Sequence, residues 1–258
     1  MLVDSHCHLD FPEFKENLDL FIAEALANNV EVLQTICTKI SELSEIENII
    51  AKYKNIFGSV GIHPCEVANE KEVSVAEIVA YTKNPKIIGI GETGLDFYYS
   101  SENKEAQIRS FIKHINAAQE TGLPVIIHTR DAEEETIKIL EEQMQIKPFK
   151  ALIHCFTASQ KFAEACLRLG IYISVSGIIT FKNATAIREA LNVVPLDMLL
   201  IETDSPYLAP SPMRGQKNQP SYVKYVAQHL ALIKGVEYSE IANVTTANFF
   251  RLFNKAII

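Results

Sequence analysis

The chain opens on two histidines one residue apart, His6 and His8, inside the run VDSHCHLD. An H-x-H pair is a weak signal alone, because core histidines satisfied by one hydrogen bond are common. Three further histidines also close short apolar runs: His63 in IFGSVGIH, His128 in LPVIIHT and His154 in KALIHCF. Two carboxylates fall in the same register, Glu92 near the end of KIIGIGET and Asp204 at the end of MLLIETD. The remaining histidines, His114 and His229, lie inside segments of helical spacing and read as helix residues. Imidazole nitrogen and carboxylate oxygen suit zinc, manganese and similar divalent ions. His6, His8, Glu92, His128, His154 and Asp204 exceed what one catalytic ion takes while keeping an open position. They suit two divalent ions, Mg, Mn or Zn, sharing a bridging carboxylate, an arrangement that clamps the attacking and leaving oxygens of a phosphate ester.

Such a set needs elements that bring distant residues to one rim. Eight short apolar, β-branched runs begin at Leu2, Val30, Ile56, Lys86, Leu123, Lys150, Ile171 and Met198. Between them lie longer amphipathic segments, such as Asn103–Glu120 and Gln160–Leu169. In the first of these, Ile108, Phe111, Ile112 and Ile115 recur three or four apart, as one helix face requires. Gly122 and Pro124 stop that helix. Strands alternating with helices predict parallel pairing through helical crossovers, and eight such units predict a (β/α)8 TIM barrel, an α/β fold. An open doubly wound sheet is the alternative, disfavoured because no glycine-rich dinucleotide fingerprint follows the first strand. Segments around Val223–Ile233 and Ser239–Phe253 are expected to close the outer ring of helices.

In a TIM barrel the C-terminal strand ends share the catalytic face, and the candidate ligands end their runs. Side chains two apart on a strand share a face. His6 and His8 therefore aim together into the mouth, with Asp4 expected on the same face but deeper. Cys7 is expected to point away, toward the helices. Glu202 shares the face of Asp204 and reads as a supporting carboxylate.

With 258 residues, 48% hydrophobic and 22% charged, the chain fits one globular domain spanning 1–258. No apolar run approaches the roughly 18 residues of a membrane span. No basic region followed by an apolar run marks a secretory leader. The five cysteines are odd in number and include no C-x-x-C pair, so a reducing cytoplasm is expected. A formal net charge of -8 argues against broad electrostatic binding of nucleic acid but not against a nucleic-acid end held at a metal site. The chain is expected to act as a monomer.

The motifs DSHCHLD, GIHP, GETGLDFYY, PVIIHTRDA, HCFT and ETDSPYLAP, in this order, resemble the TatD family of metal-dependent hydrolases. The resemblance runs from Val3 to about Pro220. It implies an amidohydrolase-like TIM barrel and divalent-metal-dependent deoxyribonuclease activity, exonucleolytic from the 3′ end of DNA or an oligonucleotide. It also implies that His6 and His8 form the family's H-x-H, that Glu92 is its bridging carboxylate, and that His128, His154 and Asp204 complete the ligands. Two positions depart from the family pattern. Ala158 stands where glycine is frequent, and Gln219 stands where an acid commonly precedes the proline.

Substrate contacts are less sharply marked. His63 reads as a phosphate or leaving-group contact and Arg130, two residues past His128, as a phosphate contact. The loop after Asp204 holds four of the ten prolines together with Arg214 and Lys217, and Lys182 lies in TFKN before it. Stiff loops of this length are usually functional, and these cations could supply local positive charge. Tyr98, Tyr99 and Tyr207 could stack on bases. The expected reaction is metal-assisted phosphodiester hydrolysis, with Asp204 orienting water as general base. The alternatives are hydrolysis of a small amide, ester or lactone on the same cage, and a non-catalytic binding module, for which a closed four-ligand structural site would be expected.

Overall fold

The computed structural model describes residues 1–257. Each of the eight expected runs contains a strand: β1 Leu2–Cys7, β2 Val30–Thr35, β3 Ile56–Val60, β4 Ile87–Asp96, β5 Val125–Arg130, β6 Ala151–Ile153, β7 Tyr172–Val175 and β8 Leu199–Ile201. They pair in sequence order, β1 to β8, every neighbouring pair parallel. The ring closes just beyond β8, where Ser205 bridges Cys7. There the Asp204 amide donates to the His6 carbonyl and the His8 amide to the Ser205 carbonyl, both at 2.9 Å. This is the predicted TIM barrel.

Helices lie between and after the strands: α1 Pro12–Lys15, α2 Leu18–Ala27, α3 Leu43–Lys52, α4 Val75–Tyr81, α5 Lys104–Thr121, α6 Glu133–Ile146, α7 Gln160–Arg168, α8 Thr185–Leu191, α9 Val223–Lys234 and α10 Tyr238–Leu252. Local chemistry sets several of their ends. Ser74 and Glu77 form a reciprocal capping box at α4, and the Ser159 hydroxyl accepts from the Phe162 amide at α7. Gly122 ends α5 in the left-handed conformation, its amide donating to the Ala118 carbonyl.

The core has two parts. A large apolar layer between strands and helices includes Leu33, Ile46, Phe111, Ile139 and Ile241. A second cluster joins Val3, Val32, Phe57, Ile88, Ile126, Leu152 and Leu200 with Phe249, Leu252 and Phe253. Those strand residues lie near the N-terminal ends of seven strands and face one another inside the barrel. The last helical segment is therefore more than part of an outer ring. The end of α10 packs phenylalanines against the interior residues and seals the N-terminal end.

Two strand expectations are corrected. Asp4 does not share the face of His6 and His8. Between the Asp4–Leu33 and Cys7–Thr35 pairs, four residues of β1 (Asp4 to Cys7) oppose three of β2 (Leu33 to Thr35). This bulge reverses the parity between Asp4 and His6. The Asp4 carboxylate instead accepts from the Thr203 amide (2.8 Å) and hydroxyl (2.6 Å). Cys7 faces the helical layer as expected, its thiol donating to the Gln34 carbonyl. Strand β4 also runs four residues past Glu92, to Asp96. Gly91 (φ 145°) and Gly94 (φ 134°) occupy backbone conformations that side chains disfavour. A Cβ on Gly94 would run into the His128 carbonyl oxygen, and one on Gly91 into that of Ile126. The missing side chains let β4 lie tight against β5, with Glu92 beside His128.

Candidate metal centre

Glu92 is the hub of the mouth. It is buried near the middle of β4, and its two oxygens face different partners. Oε2 lies 3.3 Å from His6 Nε2. Oε1 lies 2.7 Å from His154 Nε2, 3.1 Å from His128 Nδ1 and 3.5 Å from His63 Nε2. Asp204, past β8, adds Oδ1 at 3.4 Å from His8 Nε2 and 3.7 Å from His6 Nε2. Residues from β1, β3, β4, β5, β6 and β8, or from the turns just after them, converge here. Ligand-type atoms of His6, His8 and Glu92 lie within 4.8 Å of one another, and so do those of His63, Glu92 and His128.

The far nitrogen of three imidazoles is tied down. His8 Nδ1 lies 3.3 Å from the Ile36 carbonyl. His128 Nε2 lies 3.0 Å from Asp96 Oδ2, and His154 Nδ1 lies 3.3 Å from Glu202 Oε1. An imidazole that donates one N–H to an oxygen turns the lone pair of its other nitrogen toward the cluster, as in metal sites. Glu202 is fully buried on the face that parity predicted and also accepts from the Ser174 hydroxyl. His63 is wired the opposite way. Its Nδ1 accepts from the Cys65 amide at 3.1 Å, so in the neutral ring Nε2 carries the hydrogen.

The electrostatics follow from crowding in a buried place. Burial alone would raise the Glu92 carboxyl, but the imidazoles packed around it, His154 first, then His63 and His6, together with the His128 hydrogen bond, hold it well below the usual carboxylate range. Burial would likewise lower His154, yet Glu92 and Glu202 push it well above its ordinary value. His128 and His8 are raised against burial by Asp96 with Glu92 and by Asp204, respectively. Asp204 is held low, against its burial, chiefly by the His8 hydrogen bond. Burial lowers His63 to about 3 and also lowers His6.

The donor set fits divalent cations, and His6 supplies the structural test. The residue is fully buried, and neither ring nitrogen has a hydrogen-bond partner. A buried imidazole without partners is costly, and a cation between His6 and the Glu92 and Asp204 carboxylates would satisfy it.

The model of the family described as "TatD related DNase" matches residues 3–254. The chain belongs to the TatD family. It is thereby a metal-dependent hydrolase, similar over nearly its whole length to others of that kind. It is 43% identical over 256 residues to the uncharacterized metal-dependent hydrolase YcfH of Escherichia coli K12, covering 98% of this chain and 96% of that one. It is 30% identical over 257 residues to the 3′-5′ ssDNA/RNA exonuclease TatD of Escherichia fergusonii, covering 98% of each chain. Among solved structures, the TatD homologue YjjV of Escherichia coli K12 superposes with a TM-score of 0.91 at 26% identity, covering 98% of each chain.

In this TatD-family chain the six sequence-predicted ligands and His63 meet in one cluster. The predicted basic contacts do not join it. Arg130 lies over the rings of Tyr98 (4.3 Å) and Tyr99 (4.6 Å) at the rim. Arg214 packs over Phe181 (3.8 Å) and donates to the Ala209 carbonyl. Lys182 and Lys217 are exposed. The loop carrying Arg214 is pinned by buried Asn218, which donates to the Thr203 (2.8 Å) and Tyr207 (2.6 Å) carbonyls. Gln219, a departure from the family pattern, donates to Glu24 of α2 at 2.6 Å, where an acid would set two carboxylates face to face.

Two residues escaped the sequence reading. Asp96 holds His128, and its signal was present, since it lies four residues after Glu92 on a strand and so shares its face. For His114 the sequence pattern indicates only a helix position. Buried in α5, it accepts from the Ile62 amide at 3.2 Å and anchors the turn carrying His63. Nothing in its sequence surroundings marks that contact.

Proposed function

We propose that the chain is a two-metal phosphodiesterase that trims single-stranded DNA or RNA from the 3′ end. The observation that carries the two-ion reading is the split of Glu92, one oxygen toward His6 and the other toward His128 and His154. His8 and Asp204 would complete the first site. Bound divalent cations would make water a stronger nucleophile at neutral pH and offset charge developing on the phosphate. Asp204, ionised at neutral pH and set at the mouth, orients the attacking water and accepts its proton. His63, neutral and with Nε2 as donor, hydrogen-bonds a phosphate or leaving-group oxygen. The likeness to the 3′-5′ ssDNA/RNA exonuclease TatD of Escherichia fergusonii supports this substrate class.

The test is an end-labelled single-stranded oligonucleotide incubated with metal-stripped protein, with and without added Mg²⁺, Mn²⁺ or Zn²⁺. Metal-dependent stepwise shortening from the 3′ end is expected. Absence of shortening with every metal, together with hydrolysis of a small amide, ester or lactone, would overturn the nuclease reading.

A further inference from the structure

At the rim, beyond the β4–β5 pair, stand two tyrosines that the reaction above does not use. Tyr98 is 58% and Tyr99 66% exposed, which is far more than packing aromatic residues need. Their rings meet edge to face, with centroids 4.7 Å apart and planes at 88°. The Arg130 guanidinium lies within 4.6 Å of both ring centres. The backbone beneath is equally fixed. Asp96 Oδ1 accepts the amides of Tyr98 (3.0 Å) and Tyr99 (2.7 Å), while Oδ2 of the same carboxylate holds His128. Gln107 of α5 secures Asp96 in turn, accepting from its amide at 2.8 Å and donating to its carbonyl at 3.0 Å.

We infer that Tyr98 and Tyr99, with Arg130 against both rings, form a stacking site for a nucleobase next to the scissile phosphate. The inference rests on the nuclease reading and adds how the strand is held. Aromatic and guanidinium faces grip bases without needing sequence, because every base offers a π-face. Arg130 serves here as part of the platform. Asp96 fixes the platform's position relative to the cluster, since the same carboxylate orients His128. A base stacked on the tyrosines therefore sets where its phosphate reaches Glu92 and Asp204. The chain's net charge of -8 makes such a contact useful, because a diffuse electrostatic grip on the strand is weak.

The experiment compares kcat/KM on a single-stranded oligonucleotide with that on the same strand carrying abasic residues at its last two 3′ positions. Wild type is expected to prefer the base-bearing strand by about 5- to 150-fold, the range of base–aromatic stacking. In the Tyr98→Ala/Tyr99→Ala double variant that ratio should collapse toward one. The Tyr98→Phe/Tyr99→Phe variant should restore it, since a ring without its hydroxyl still stacks. A ratio that stays at the wild-type value in the alanine variant overturns the inference. So does an equal loss on both strands, which would mean that the rings only shelter the cluster. Wild type that trims both strands equally removes the stacking site and leaves the nuclease reading standing. Wild type that trims neither removes both.

Discussion

A single carboxylate can decide whether an imidazole is a ligand. Asp96 takes two backbone amides on one oxygen and His128 Nε2 on the other. The His128 hydrogen bond and the Tyr98 and Tyr99 amides keep it, against its burial, at about 2, so it is an acceptor at any working pH. In Asp96→Asn the amides would claim the carbonyl oxygen and leave the –NH₂ facing His128 Nε2. Two donors cannot share that contact, so the imidazole would move its proton to Nδ1, the nitrogen facing Glu92. Metal affinity should fall about 10- to 100-fold. Calorimetric titration of Mn²⁺ or Zn²⁺ into stripped protein measures this directly, and an affinity equal to wild type would remove the orienting role. Asp204 carries a different expectation. As general base it should be worth about 10²- to 10⁴-fold in kcat. Asp204→Asn should therefore lose turnover on the oligonucleotide while still retaining metal at the His128 side. Near-wild-type turnover with metal bound would reassign the base.

At the scale of elements, the strands were legible because apolar β-branched runs announce themselves and because parity gives each a face. The positions of His6, His8, His128, His154 and Glu202 all follow from those two rules. Asp4 did not follow, because a bulge leaves no trace in composition yet turns every earlier side chain over. The sealing of the barrel by Phe249 and Phe253 was equally hidden, since a helix pattern states which face is apolar but not what it covers. Nor was the link from α5 to the turn after β3 visible, and it carries a prediction. His114 Nδ1 pairs with the Ser110 carbonyl at 2.8 Å, while Nε2 accepts from Ile62. Burial lowers its pKa to about 4, against 6.5 when unfolded. The unfolded chain therefore takes up this proton first as pH falls. Stability is lost from about pH 6.5 downward, and the full cost is reached below about 4. That gap corresponds to about 3 kcal/mol. His114→Gln, which can still accept from Ile62, should show a flatter stability profile between those limits in urea unfolding. Parallel profiles for wild type and variant would show that His114 is not the group titrating.

At the scale of the whole molecule, the cluster gathers charge where the rest of the chain cannot help it. The chain is acidic overall, and the mouth adds Glu92, Asp204, Asp96 and Glu202 within a ring of imidazoles. Without cations these carboxylates are met by protonated histidine, and they hold His154, His128 and His8 above their ordinary values. Cations would replace those protons, and they would do so across strands far apart in sequence, from β1 to the residues past β8. Binding to the folded state alone makes the metal a cross-brace on the barrel. At a hundredfold excess over Kd it should add about 2.7 kcal/mol. For a chain of this size that is about 5–10 °C in Tm. Removal by chelation should lower Tm by that amount, and re-addition of metal should restore it. Protons compete for the same imidazoles, and His154, His128 and His8 hold theirs above the ordinary histidine value, so the metal-dependent part of Tm should begin to shrink above the range in which free histidine titrates and fade as pH falls through it. Glu92→Gln supplies the control, because it removes the charge shared by both halves of the cluster and should abolish most of the metal-induced shift. A Tm that is unmoved by chelation at neutral pH, or a shift of wild-type size in Glu92→Gln, would mean that the cations do not bind where the imidazoles converge.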